Sequence, residues 1–119
     1  MPRSRRIRRS RDIRQLLRRG KRSRTADLDV FDSDSPAGFS RGGWIVPRHR
    51  RNAVERNRLK RRLREILRRD VLPRFDDAAL HIDVLVRARP EAYDATFSAL
   101  REELTKWAVH RSASARRSG

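Results

Sequence analysis

Residues 52–69 read Asn52-Ala53-Val54-Glu55-Arg56-Asn57-Arg58-Leu59-Lys60-Arg61-Arg62-Leu63-Arg64-Glu65-Ile66-Leu67-Arg68-Arg69. Asn52 and Glu55 form an Asn-x-x-Glu start signal, close to a capping box, in which each side chain satisfies a free amide of the other. The spacing predicts a helix to about Arg69. At helical periodicity Leu59, Leu63, Ile66 and Leu67 fall within about 100° of arc, a core-facing stripe. Asn57, Lys60, Arg61, Arg64 and Arg68 recur at i, i+3, i+4, i+7 and i+11 on an adjacent face. Pro73 lies just past this helix.

Strand patterns flank it. Residues 43–48 read as a strand with Trp44 and Val46 on one face, and residues 80–88 alternate with Leu80, Ile82, Val84, Val86 and Ala88 on one face. Strand, helix and strand could then form a parallel crossover unit. Upstream, residues 26–32 alternate as a half-buried strand: Ala26, Leu28 and Val30 oppose Asp27, Asp29 and Phe31. Residues 33–40 are a turn. Ser10 before Ile13, Leu16 and Leu17, with Gly20 after, predicts a short helix capped by Ser10 and stopped by a left-handed glycine. Tyr93, Phe97, Leu100, Leu104 and Trp107 predict a last helix to about His110, with the aromatics in the core. The expected architecture is a single α/β (α+β) domain, α-β-β-α-β-α, with a small sheet. Residues 1–9 are expected to be a basic flexible arm, 10–110 the folded domain, and 111–119 a disordered basic tail.

The chain is strongly cationic. Its 119 residues carry 32 Lys plus Arg against 15 Asp plus Glu, a net charge of +17. Such a charge repels itself unless a polyanion neutralises it, so nucleic acid is the leading partner and an anionic membrane surface the second. Residues 1–24 hold 12 bases and one acid, and residues 41–69 hold 12 bases and two acids; acidic stretches separate them. There is no cysteine, which excludes disulfides, thiolate metal sites and thiol catalysis. No apolar run suits a secretory signal or a membrane span, so the expected location is the cytoplasm, with no membrane and no protein partner implied.

The central block has the chemistry of phosphate binding. Guanidinium groups fork two donors onto phosphate oxygens, and a helix sets neighbours about 5–6 Å apart. Asn57 can bond a base edge, a phosphate or a 2′-hydroxyl. A charge run is ordinarily a solvated face. Here the run has one sign, and uncompensated like charges at i, i+4 destabilise a helix, so polyanion binding is favoured.

Residues 56–65 also resemble the signature of the bacterial ribonuclease P protein component, Arg-Asn-Arg-x-Lys-Arg-x-x-Arg-Glu, at every fixed position. Three further segments fit in order. They are Arg6-Ile7-Arg8 to Gly20, Ser40-Arg41-x-Gly43-x-x-Val46, and Asp83-Val84-Leu85-Val86-Arg87-Ala88-Arg89. This family assists a catalytic RNA in removing 5′ leaders from precursor tRNA. The resemblance implies an unusual left-handed β-α-β crossover, which composition could not suggest because the right-handed form is the rule. It implies that Arg56, Asn57, Arg58, Lys60, Arg61 and Arg64 contact the RNA subunit. Arg48, Arg50, Arg51 and Asn52 would help at the helix entry, and Arg68 further along the same face. It implies a cleft between the first helix and the sheet for the single-stranded leader, with Ile13, Arg14, Phe31 and Trp44 as leader contacts. No catalytic residue and no metal or other cofactor is expected in the protein; hydrolysis would belong to the RNA partner and its magnesium ions. Departures from the family are Ile13, where many members have phenylalanine, Arg51 in place of a glycine, and Arg87 in place of an apolar residue. The alternative is a structural RNA-binding protein, such as a ribosomal protein or an RNA chaperone.

Other residues have simpler readings. Asp27, Asp29, Asp32 and Asp34 read as the solvated face of an edge strand rather than a metal cluster, since hard-cation sites draw on less regular loops. His49 lies in a basic run that could touch phosphate. Phe31 is either core on a second face or a base-stacking group in the cleft.

Overall fold

The structure is a computed structural model and describes residues 2–118, excepting the side chains of residues 3 and 116–118. The elements are α1 (Ser10–Arg19), β1 (Lys21–Arg24), β2 (Leu28–Asp34), β3 (Arg41–Ile45), α2 (Ala53–Ile66), α3 (Leu72–Asp77), β4 (Ile82–Ala88) and α4 (Phe97–Ser118). The four strands form one sheet in the order β1-β2-β4-β3. β2 pairs antiparallel with β1 and with β4, whereas β3 lies parallel to β4. The chain from β3 to β4 is therefore the expected β-α-β crossover.

Strand alternation sends the two faces of the sheet to different layers. On one face Leu28, Val30, Val84, Val86 and Ala88 pack with Leu59, Leu63 and Ile66 of α2, Phe75 of α3, and Leu100, Leu104 and Trp107 of α4. The rings of Phe75 and Trp107 meet edge to face at 5.9 Å. On the other face a smaller cluster joins Phe31 and Leu85 to Ile7 and Leu16, with Ile13, Leu17 and Ile45 half-buried around it. Burial of these side chains contributes roughly 1.5–3 kcal/mol each.

Two of the ordered motifs interlock at the β3–β4 pair. Arg41 forks onto Asp83, Nε to Oδ1 at 2.9 Å and Nη2 to Oδ2 at 2.6 Å. Gly43 leaves room for close packing: a Cβ there would sit 3.1 Å from Leu85 and 3.2 Å from Ile7.

Several expectations need correction. The sheet has four strands, not three. β1, Lys21-Arg22-Ser23-Arg24, has no apolar periodicity; it is a strand because its backbone pairs with β2. That pairing makes β2 an inner strand, so Asp29 and Asp32 do not belong to a solvated edge. Asp29 and Asp32 are both buried, on opposite faces of the strand, and each is bonded to arginine. Such an arrangement does not fit a metal cluster either. Gly20 ends α1 at φ −65°, ψ 152°, not in the left-handed region. Its need for glycine is spatial, because a Cβ would sit 2.5 Å from the Leu16 carbonyl oxygen. Ser10 is the first helical residue rather than the cap.

The ends of the domain also differ. Ile7 is buried, its amide donates to the Gly42 carbonyl at 2.8 Å, and Arg6 bridges to Gly42, so this part of the arm extends the β3 edge. Helix α4 runs on past His110 to Ser118. Arg111 donates to buried Asp32 at 2.8 Å and Ser112 is buried, so residues expected in the tail are anchored to the core. After α2 the chain continues through a π-turn at Leu67–Val71 into α3, which holds Pro73 in its first turn where a missing amide costs little.

Candidate nucleic-acid interface

Helix α2 carries the first candidate face. Its start is the predicted capping box: Asn52 Oδ1 accepts from the Glu55 amide at 2.9 Å, and Glu55 accepts from the Asn52 amide at 3.4 Å. Leu59, Leu63 and Ile66 are sunk in the core, which fixes the rotation of the helix. The opposite face must then look outward. Asn57, Lys60, Arg61 and Arg64 line a groove of about 380 Å³ with two residues from other elements, Arg6 and Trp44. The Arg6 guanidinium lies 4.4 Å from the centre of the Trp44 ring. Burial and the charges of Arg8 and Arg64 lower the pKa of Arg6, a sign of how crowded the positive charge is. None of Asn57, Lys60, Arg61 and Arg64 has a hydrogen bond or ion pair with another described side chain. Their donors face water and are available to phosphate.

The other predicted members of this set sort into two groups. Arg48, Arg50 and Arg58 are exposed and lie outside the groove. Arg51, Asn52, Arg56 and Arg68 hold the structure. Arg51 bonds Glu55 at 3.0 Å and both Asp94 oxygens at 3.0 and 2.9 Å, and lies over the Tyr93 ring. Arg56 donates to the Val46 carbonyl at 2.7 Å. Arg68 pairs with Glu65, which holds the Glu65 carboxyl below the ordinary range. His49 and Arg50 take positive φ, 45° and 66°, in the turn before α2. Left-handed backbone costs a non-glycine residue about 1–2 kcal/mol. Here it is braced by the Arg51 amide on the Arg48 carbonyl at 2.7 Å and by the Tyr93 hydroxyl on the Pro47 carbonyl at 2.6 Å. His49 itself is turned toward the protein, with Nε2 3.4 Å from the Ala88 carbonyl.

The second candidate face lies across the sheet. Ile13 and Phe31 meet in the apolar cluster under α1. Trp44 does not join them. It projects to the α2 side of β3 and belongs to the groove there, across the sheet from Ile13 and Phe31. Arg14 lines an outer groove of α1 with Arg11, Gln15, Arg18 and Arg19. Phe31 is only 3% exposed, which settles its packing as core. The Arg22 and Arg87 guanidiniums lie over its ring at 5.9 and 5.1 Å. Neither arginine has a local signal, because β1, β2 and β4 contribute one residue each and only the sheet register brings them together.

A family profile described as ribonuclease P matches residues 1–111. The chain belongs to the ribonuclease P protein family. The ribonuclease P protein component of Micrococcus luteus is 40% identical over 113 residues, covering 87% of this chain and 84% of that one. Among solved structures, the ribonuclease P protein of Thermotoga maritima superposes with a TM-score of 0.72 at 28% identity, covering 87% of this chain and 94% of that one. The ribonuclease P protein of Staphylococcus aureus gives the same TM-score of 0.72 at 24% identity, over 89% and 93% of the two chains, and speaks for the fold. The match spans both candidate faces, and the resemblance carried by residues 56–65 holds over nearly the whole chain. Among the described residues, no helix is long and apolar enough to cross a membrane.

Proposed function

We propose that this chain, a protein subunit of ribonuclease P, divides its two basic faces between two RNAs in the 5′ maturation of tRNA. The α2 groove, with Asn57, Lys60, Arg61, Arg64 and Arg6, grips the catalytic RNA subunit. The face between α1 and the sheet, with Ile13 and Phe31 beneath its arginines, takes the 5′ leader of precursor tRNA. The protein neutralises phosphates and positions the leader. Hydrolysis is done by the RNA partner with magnesium at its own active site. The cytoplasm, where precursor tRNA is made, is the expected place of action.

The observation that supports this reading best is the presence of two arginine-rich faces on opposite sides of one sheet, with the donors of the α2 groove unspent inside the protein. A protein that coats one RNA surface needs one such face. Purified chain is expected to leave precursor tRNA intact by itself, and to lower the magnesium or salt requirement of the RNA subunit. Robust cleavage by RNA-free protein overturns the division of labour. Sequencing the RNA that co-purifies separates this reading from a ribosomal protein or RNA chaperone: one catalytic RNA supports it, ribosomal RNA does not.

A further inference from the structure

The sheet face beneath the proposed leader site carries more positive charge than its structure requires. Register sets Arg22 of β1 and Leu85 of β4 on either side of Phe31, and Arg24 and Arg87 on either side of Asp29. Asp29 is 3% exposed, and three arginines converge on it. Arg89 donates to Oδ1 at 3.1 Å, while Arg87 and Arg22 stand 3.2 and 3.4 Å from Oδ2. Arg89 is a fastener, since it also donates to the carbonyls of Thr25, Ala26 and Leu28. It also faces Glu91 at 3.6 Å, so three arginines meet two carboxylates here and the cluster keeps a net positive charge.

That excess charge is presented by Arg22 and Arg87, the members of the cluster that reach solvent. Their side chains are 55% and 35% exposed, and like charges side by side on a sheet are destabilising. Both guanidiniums lie over the buried Phe31 ring, which leaves their outer sides to solvent. The α1 residue above this cluster is Ile13, which can pack but cannot stack. The surface offered to a ligand here is thus a guanidinium layer on an aromatic floor. A guanidinium plane accepts a nucleobase in stacking as an aromatic ring does, and adds donors for phosphate.

We propose that Arg87, seated on Phe31 and anchored by Asp29, is the base-stacking contact for a nucleotide of the single-stranded leader, with Arg22 beside it for the adjoining phosphate. The proposal rests on the leader site assigned above.

The test uses holoenzyme reconstituted from the full chain and its RNA subunit. Its probes are precursor tRNA with a natural leader, the same RNA with an abasic residue at each leader position in turn, and mature tRNA. Arg87→Lys keeps the charge and removes the plane. It is expected to weaken binding of the natural precursor about tenfold, and to add no loss at the one abasic position that already weakens the parent. Arg22→Ala is expected to lower the salt dependence of precursor binding while keeping the abasic effect. Melting of both variants and their affinity for the RNA subunit should match the parent. Full affinity in Arg87→Lys, or losses that simply add at every abasic position, overturns the stacking role of Arg87 and leaves the leader site standing. If parent holoenzyme binds precursor and mature tRNA equally, the leader site itself fails and the proposal with it.

Discussion

The two faces of the sheet hold their arginines in different ways. On the α2 side Arg61 and Arg64 stand on a regular helix whose buried stripe of Leu59, Leu63 and Ile66 fixes its roll. Their spacing is a local property, and their charge is left uncompensated. On the other side Arg22 and Arg87 come from two strands separated by more than sixty residues of sequence. They are tied to a third, inner strand by one buried carboxylate. The contrast separates two ways of presenting a cation on a protein surface. One sets exposed guanidiniums at helical intervals and relies on counterion release. The other immobilises the guanidinium in advance, which lowers the entropy lost when a base is bound.

Removing the helical charges has the largest expected effect. Arg61→Ala together with Arg64→Ala should make the salt slope of RNA-subunit binding shallower by about 0.7–0.9 for each phosphate no longer neutralised. With two phosphates released, the affinity becomes about tenfold less sensitive between 50 and 200 mM salt. Stability should be unchanged or raised, because like charges are removed from an exposed face. An unchanged slope, measured by filter binding across salt, sinks the α2 assignment.

The sheet face should behave in the opposite manner, with stability at stake. Asp29→Asn leaves three arginines around a neutral amide and should destabilise the fold by about 3 kcal/mol, read from denaturant unfolding. A loss below about 1 kcal/mol would show that the carboxylate is no anchor. Burial pushes the Asp29 carboxyl up, but the Arg87 hydrogen bond and the charges of Arg22 and Arg89 outweigh it and hold it below the ordinary carboxylate value. Its contribution is therefore complete above the unfolded-state value and is lost as pH falls through the lower folded value. Acid unfolding followed by circular dichroism should be steeper in the parent than in Asp29→Asn.

Smaller changes sharpen the contrast. Asn52→Ala removes the cap of α2 and should cost about 1 kcal/mol of stability, visible as a lowered denaturation midpoint. Binding of the leader should be untouched, since the cap lies on the α2 side. Ile13→Phe adds an aromatic beside the Phe31 cluster. It should leave RNA-subunit affinity alone and tighten leader binding by about 1 kcal/mol at most, measured with precursor against mature tRNA. If neither affinity moves, α1 does not line the leader site.

How much is legible in the sequence differs between the faces for the same reason. Asn52, Glu55, the leucine stripe and the basic face of α2 are all within a few residues of one another, so periodicity places them. Even there, tertiary contacts assign Arg51 to Asp94 and Arg56 to the Val46 carbonyl, whereas Arg68 is spent on Glu65 one turn away. Alternation alone cannot place Trp44, because which face of a strand looks toward which helix is decided only when the sheet packs. Arg6 gives no periodic signal at all, because it joins the α2 groove from an extended segment at the β3 edge.

The sequence by itself determined the fold class, the signature helix and the polyanion partner, because these follow from local spacing and summed charge. Strand β1 exists only through its backbone pairing with β2. That pairing turned β2 from an edge into an inner strand, and Asp29 and Asp32 from a solvated rim into buried anchors. The tertiary structure alone decided the layer of Arg22 and Arg87 over Phe31, since hydrogen-bonded register joins residues that no local pattern relates.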